Sequence, residues 1–140
     1  MINAYITTPV DVLAGSAVPF ASSRAKTRGS CLCNGGWLAH DDGSTQFLLA
    51  RTGIYMVSVG AQVTSAAAAT DVSLAITTNG ETLAGTTMAE TITAADDVAQ
   101  LATTALVVVP CGASITVALA NVGADPMTVN AASLVITRVA

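Results

Sequence analysis

Residues 47 to 64, FLLARTGIYMVSVGAQVT, constrain the fold of this chain more than any other stretch. After the turn at Arg51-Thr52-Gly53, the side chains alternate with the two-residue period of a β-strand. One side of the predicted strand carries Tyr55, Val57, Val59, Ala61 and Val63, and the other carries Met56, Ser58, Gly60, Gln62 and Thr64. The first side suits the core of a β-sandwich. The second, which is small and uncharged, suits contact with another chain.

The predicted core joins the first side of this strand to apolar residues from other alternating segments. Residues 71–78 and 114–121 also place apolar residues at every second position. The predicted core comprises Tyr55, Val57, Val59, Val63, Leu74, Ile76, Ile115, Val117 and Leu119.

The composition favours a protein whose surface is partly covered. Charged residues make up 10% of the 140 residues and hydrophobic residues 52%, while alanine and threonine occupy 27 and 19 positions. A monomer with so few charges has a poorly solvated surface. We therefore expect an oligomer or lattice, with a monomer from an unusual host as the alternative. The length favours a single domain, residues 1–140.

Several functional classes are disfavoured. The net charge of −4 argues against general nucleic-acid binding, and no apolar stretch approaches the roughly 20 residues of a membrane-spanning helix. The N-terminus lacks the pattern of a secretory signal, so we expect synthesis in a reducing host cytoplasm and release by lysis. No nucleophile, phosphate-binding loop or carboxylate pair has the spacing of a known motif, so we predict no enzyme and no cofactor.

Strand signals and turn residues follow one another along the chain, and helical periodicity is almost absent. Asn79-Gly80 is the strongest hairpin signal. Residues 18–21 are predicted as a strand, and residues 88–97, which are rich in alanine and threonine, as a long loop. Nine or ten strands in total predict an all-β fold, an antiparallel two-sheet sandwich.

Several segments of residues 44–140 carry a family resemblance through their order and spacing. They are Phe47-x-Leu49-x-x-x-Gly53-x-Tyr55-x-Val57-x-Val59, then Asn79-Gly80-Glu81, then Leu106, Val108, Gly112, Ile115 and Val117, and finally Ser133-x-Val135-Ile136-x-Arg138. In this order they resemble the paired strands, mid-domain hairpin and closing strand of the tumour-necrosis-factor and complement globular-head superfamily.

The resemblance implies a ten-stranded jelly roll that assembles as a compact homotrimer. Similar short domains occur in phage virion accessory proteins and on bacterial spore surfaces, and the expected lack of a signal or collagen-like stem favours the phage setting. The chain is then a structural protein of a virion, such as a head fibre or decoration protein. Residues 1–40 would supply the part that docks to a neighbouring virion protein.

The predicted trimer interface is Met56, Ser58, Gly60 and Gln62. Methionine adapts to imperfect packing, small residues let backbones approach closely, and cyclic closure hides the surface. The alternative is a solvent-facing side that happens to lack charge.

Arg24, Lys26 and Arg28 hold three of the five basic residues at alternate positions. On a strand they would share one face and contact an anion or an acidic partner. The alternative is a charged edge strand that discourages aggregation between sheets.

Two acidic groups contain the side chains that metal sites use. His40-Asp41-Asp42 and Asp96-Asp97 each lack the further ligands that a site requires. We predict no metal site, and interpret His40-Asp41-Asp42-Gly43 as a solvated turn.

The cysteines and the single tryptophan are assigned structural roles. Cys31, Cys33 and Cys111 are interpreted as small apolar fillers, with oxidation outside the cell left open because it depends on geometry. Trp37 is interpreted as a buried anchor rather than a contact for a sugar or partner.

Two alternatives to the virion interpretation stay open. One is an adhesin that binds a host receptor or glycan through loops at residues 66–71 and 88–97, although their lack of aromatic residues disfavours a sugar site. The other is a bacterial spore or surface-layer protein of the same fold.

Overall fold

The computed structural model describes residues 1–26 and 38–140. In these ranges the chain forms strands and turns and contains no helix, so none that could cross a membrane. The strands are β1 (Ile2–Ile6), β2 (Val10–Val12), β3 (Ser22–Lys26), β4 (Leu38–Ala39), β5 (Phe47–Leu49), β6 (Gly53–Thr64), β7 (Thr70–Thr78), β8 (Glu81–Thr82), β9 (Met88–Ile92), β10 (Val98–Val109), β11 (Ile115–Asn121) and β12 (Met127–Arg138).

The strands form two antiparallel sheets, which pack as a sandwich. Sheet A has the order β10-β6-β12-β1-β3, with β2 paired to β12. Sheet B has the order β4-β5-β11-β7-β8, with β9 paired to β7. The predicted all-β two-sheet fold is confirmed.

The pairing of strands is nested along the chain. β1 pairs with β12, β5 with β11, β6 with β10 and β7 with β9. Successive pairs alternate between sheet A and sheet B, so the first half of the chain is rolled against the second half like one long hairpin. This arrangement is a jelly roll, which places β6 and β12 side by side in the middle of sheet A.

The core lies between the sheets. Eight of the nine predicted core residues are buried, and Ile115 is partly buried and packs against the same cluster. Phe20 and Phe47 add an edge-to-face aromatic pair with ring centroids 5.5 Å apart.

The N-terminal residues belong to this sandwich. β1 lies between β12 and β3, and its inward residues Ile2 and Ile6 are buried. The strand predicted at residues 18–21 is wrong: Val18 and Phe20 are buried in an irregular segment, because Pro19 cannot donate to a ladder. The docking role of residues 1–40 stays a prediction.

The loop predicted at residues 88–97 is wrong in its first half, which forms edge strand β9. Met88 and Ile92 are buried, whereas the three residues between them are exposed. Glu90 pairs with buried Val72 and so occupies the core-facing row of β9. Because a carboxylate interrupts the row of apolar residues, the sequence of β9 lacks the alternation of apolar and polar residues from which strands are predicted.

Gly53, at the start of β6, lies in close contact with residues 138–140. Its φ of +153° is unfavourable for other residues, and an added Cβ would lie 2.5 Å from both the Ala140 carbonyl oxygen and Arg138 Nε. The Ile54 amide donates to that carbonyl at 2.9 Å. Glycine therefore allows the closing strand to approach β6.

Candidate functional site

The outer face of sheet A, which we call the sheet A face, is the candidate site. Three neighbouring strands of twelve residues each, β10, β6 and β12, form it. None of their outward residues, all of which the structure describes, is ionisable. They are Val98, Gln100, Ala102, Thr104, Leu106 and Val108 of β10, Ile54, Met56, Ser58, Gly60, Gln62 and Thr64 of β6, and Thr128, Asn130, Ala131, Ser133, Val135 and Thr137 of β12.

One half of the sheet A face is an apolar ridge formed by Ile54, Met56, Leu106 and Val108. Leu106 pairs with Met56, and Val108 pairs with Ile54. Leu106 and Val108 are each 60% exposed. Complete burial of one such side chain is worth about 1.5–3 kcal/mol, so the ridge favours contact with another apolar surface.

The other half of the sheet A face is a hollow centred on Gly60. An added Cβ at Gly60 would meet nothing within 4 Å, so neither packing inside the chain nor the backbone conformation requires glycine there. The hollow opens into a groove of about 440 Å³ that runs from Gln100 to Arg24. Its central row, across four strands, is Ala102, Gly60, Ser133 and Tyr5.

Two pairs of polar side chains on the sheet A face are hydrogen-bonded within the face. The hydroxyls of Ser58 and Thr104 lie 2.9 Å apart, and Asn130 Nδ2 donates to Thr64 Oγ1 at 3.2 Å. Because these groups already have hydrogen-bond partners within the face, they would keep those partners if a second chain covered it. These two pairs therefore reduce the cost of burying this part of the face.

All four predicted interface residues lie on this face. Met56, Ser58, Gly60 and Gln62 are half-buried by the neighbouring strands, with Met56 in the ridge and Gly60 in the hollow. Their contact with another chain stays a prediction. The exposed Leu106 was missed, although the unbroken apolar run from Leu106 to Val109 indicates a strand that is apolar on both faces.

Acidic and basic residues are unevenly distributed along the chain. No lysine or arginine lies between Arg51 and Arg138, a span that holds six of the nine acidic residues. Two of them, Glu90 and Asp97, line a polar cleft of about 190 Å³ where β9 meets the start of β10. Arg24 lies at the opposite edge of sheet A, on β3.

Arg24 is oriented by an aromatic ring. Its Cζ lies 4.6 Å from the ring centroid of Tyr5, which is a cation–π contact. The register of β3 shifts at Arg24, so the alternation from which Arg24 and Lys26 were predicted to share a face is interrupted. The Lys26 side chain and Arg28 lie outside the described residues, and the predicted partner role stays a prediction.

His40 is buried, so the prediction of a solvated turn is wrong for this residue. Its ring stacks on Phe47 at 4.0 Å with planes 10° apart, and its Nδ1 lies 2.9 Å from the carbonyl oxygen of Gln46. The ladder of β4 and β5 ends with the pair Ala39–Leu48, and the next residues beyond it, His40 and Phe47, are the two that stack. Asp41 and Asp42 are exposed in the turn that follows.

The structure assembles no metal centre in the ranges it describes. No group of three or more metal-ligating side chains occurs within residues 1–26 and 38–140. Asp97 Oδ2 instead accepts a hydrogen bond from the Ala94 amide at 3.2 Å, which closes the turn before β10.

The interpretation of the cysteines as small apolar fillers is wrong for Cys111. It is exposed in the turn between β10 and β11, where the Ala113 amide donates to the Pro110 carbonyl and the core does not reach. Cys31, Cys33 and Trp37 lie outside the described residues.

Ala66 and Ala67, from the connection between β6 and β7, line a second cleft of about 360 Å³ at one end of the sandwich. Asp11 and Asp125 contribute carboxylates to the cleft, and Leu13 contributes an exposed apolar side chain. None of the described residues that line it is aromatic.

The comparisons with known proteins assign no family. No protein-family model matches the sequence, and no curated protein matches it. Among solved structures, the chain is similar to PRD1 vertex protein P5 at 11% identity and a TM-score of 0.47, over 95% of this chain and 93% of that chain. A likeness of this extent transfers neither a function nor a partner to the present chain.

Proposed function

We propose that the chain is a non-enzymatic structural protein of a virion, a head fibre, decoration or similar surface component, and that it assembles as a homotrimer through the sheet A face. One observation carries the assembly: three adjacent twelve-residue strands present no ionisable side chain outward, yet expose Leu106 and Val108. Uncharged surfaces with exposed large apolar residues mark interaction sites.

The size of the sheet A face supports an assembly of several copies. Three strands of twelve residues cover about 40 Å by about 14 Å, or about 550 Å². A standard protein interface buries about 800 Å² on each partner. The face therefore supplies most of one interface, and the strands beside it supply the remainder.

The jelly-roll topology supports the proposed homotrimer. The resemblance to the tumour-necrosis-factor superfamily implies this topology together with a compact trimer. A charge-poor chain suits a particle in which much of each subunit is permanently covered. The partners are then other copies of the chain and neighbouring virion proteins.

Sedimentation equilibrium tests the homotrimer. The wild type is expected at three times the chain mass of 13.9 kDa. Met56→Asp is expected at 13.9 kDa with an unchanged near-ultraviolet spectrum, because the new carboxylate lies outside the core. Leu48→Asp, at an exposed site on sheet B, is the matched control and is expected to leave the mass unchanged. A wild-type mass of one chain contradicts the proposal.

The virion role requires a separate test. Mass spectrometry of gradient-purified particles, from lysates in which the chain is made, is expected to find it in a fixed ratio to the major capsid protein. A chain that forms trimers but is absent from the particles contradicts the virion role alone.

The cleft beside residues 66–69 supports a second candidate function, the binding of a host receptor or glycan. Its carboxylates, from Asp11 and Asp125, can accept hydrogen bonds from sugar hydroxyls. A glycan-array signal that Asp125→Ala removes supports this function, and an array without signal rejects it for glycans.

A further inference from the structure

The acidic cleft between β9 and β10 lies at nearly the same level along the strands as Arg24 on the far strand of sheet A, β3. Glu90 and Asp97 line a cleft together with Ala99 of β10. Gln100, the next residue of β10, lines the groove of the sheet A face together with Arg24. A nearly continuous line across sheet A thus begins beside two carboxylates and ends at a guanidinium.

Glu90 makes the acidic edge unsuitable for adding a further strand. By register it lies in the same row of β9 as the buried residues Met88 and Ile92, but Glu90 itself is exposed at the edge of the sheet. A charge in that row of an edge strand is a known protection against edge-to-edge pairing. A partner therefore meets this edge through side chains rather than through backbone hydrogen bonds.

A head-to-tail contact gives both the acidic cleft and Arg24 a partner of opposite charge. The sheet A face covers about 550 Å² and falls short of the roughly 800 Å² of a standard interface. If the edge formed by β9 and β10 of one copy lies on the face of the next copy, each copy uses two different surfaces. Contacts of this heterologous kind form a ring when the rotation between successive copies closes, and three copies make the smallest such ring beyond a dimer.

We propose that the groove of the sheet A face is occupied by a second copy of this chain, whose acidic edge, Glu90 and Asp97, lies beside Arg24. This inference rests on the proposed homotrimer and names the surfaces that close it. The guanidinium is held over Tyr5, and its planar group of donors suits carboxylate partners. The exposed Leu106 and Val108, which lie on the same edge strand β10, enter the same contact.

The charge pair sets the orientation of the contact more than its strength. Exposed ion pairs contribute little to stability, whereas like charges brought together across an interface are strongly unfavourable. Reversal of one charge is therefore a more sensitive test than its removal.

A charge-swap experiment tests the head-to-tail contact. Arg24→Glu and Glu90→Arg are each expected to raise the concentration of half-assembly about tenfold or more. The double variant is expected to assemble more tightly than either single variant, because opposite charges again face each other at positions 24 and 90, while the unchanged Asp97 limits the recovery. Glu81→Arg changes an exposed carboxylate on β8 by the same charge as Glu90→Arg, and is expected to leave assembly unchanged.

The outcomes separate this inference from the homotrimer itself. If both single reversals assemble like the wild type while Met56→Asp dissociates, the head-to-tail contact is wrong and the homotrimer stands. If the double variant stays as weak as the single variants, the direct pairing is also wrong. A wild-type protein that sediments as one chain overturns both proposals.

Discussion

The two faces of β6 follow the same alternation but have different surroundings. On the inner face, Tyr55, Val57 and Val63 are completely buried by the opposite sheet. On the outer face, Met56, Ser58 and Gln62 are only half-buried, because no element of the described chain covers them. We infer that the alternation of side chains along β6 serves two contacts. The inner side chains form the core that folds the chain, and the outer side chains form the contact by which copies assemble. Substitutions on the inner face should therefore act on the free energy of unfolding, and those on the outer face on association.

Tyr55→Ala should have the largest effect on stability. The residue is fully buried, and truncation of such a side chain costs about 3–5 kcal/mol of unfolding free energy. Ser58→Ala is the matched change on the outer face and should cost less than about 1 kcal/mol, since it removes one exposed hydroxyl contact. Urea unfolding in a Met56→Asp background measures both without coupled dissociation. Equal losses would remove the distinction between the faces.

Two glycines of β6 provide the next contrast. Gly53→Ala should destabilise the chain by about 2 kcal/mol or more, because the Cβ would overlap the Ala140 carbonyl oxygen at an unfavourable φ. Gly60→Ala, with open space around the Cβ, should be neutral or stabilise the dissociated chain by about 0.5 kcal/mol. Thermal unfolding of both variants in the same background checks the expectation. A costly Gly60→Ala would show that the hollow is already filled within one chain.

A smaller effect concerns the hydroxyl of Tyr55. Burial raises its pKa above the ordinary value, although Arg138 and Arg51 oppose the rise. The folded state therefore retains this proton to a higher pH than the unfolded state, so the stability contribution is complete below about pH 10 and declines as the pH rises further. Tyr55→Phe should abolish the alkaline decline, at a cost of about 1 kcal/mol at neutral pH for the lost hydrogen bond to the Arg51 carbonyl.

Denaturant midpoints at several pH values measure this decline. Tyr5→Phe, on the exposed side of β1, is the control and should retain the decline. If the decline persists in Tyr55→Phe, the assignment to Tyr55 is wrong.

The parts of the fold that could be predicted depend on local patterns. The alternation in β6 and β11 predicts strands and their inward residues from neighbours two positions apart. Asn79-Gly80 likewise predicts its own hairpin, in which both residues have positive φ and Thr78 pairs with Glu81.

The parts that were missed depend on partners distant in sequence. His40 is buried because its ring stacks on Phe47, just beyond the end of the β4–β5 ladder. Strand β9 was not predicted because Glu90, opposite Val72, interrupts its apolar row. The candidate site shows the same limit. Met56 and Gly60 were found on one strand, but the ridge requires the register of β10 against β6, which places Leu106 beside Met56.

Hydroxyl-radical footprinting tests most directly whether another copy covers the sheet A face. Leu106 and Leu13 are 60% and 66% exposed in a single chain, so Leu13 is an internal reference. In the assembled wild type, Leu106 should be labelled far less than Leu13, and in Met56→Asp the two should be labelled alike. Equal labelling of Leu106 and Leu13 in the wild type would show that the face is open to water, and would contradict the account.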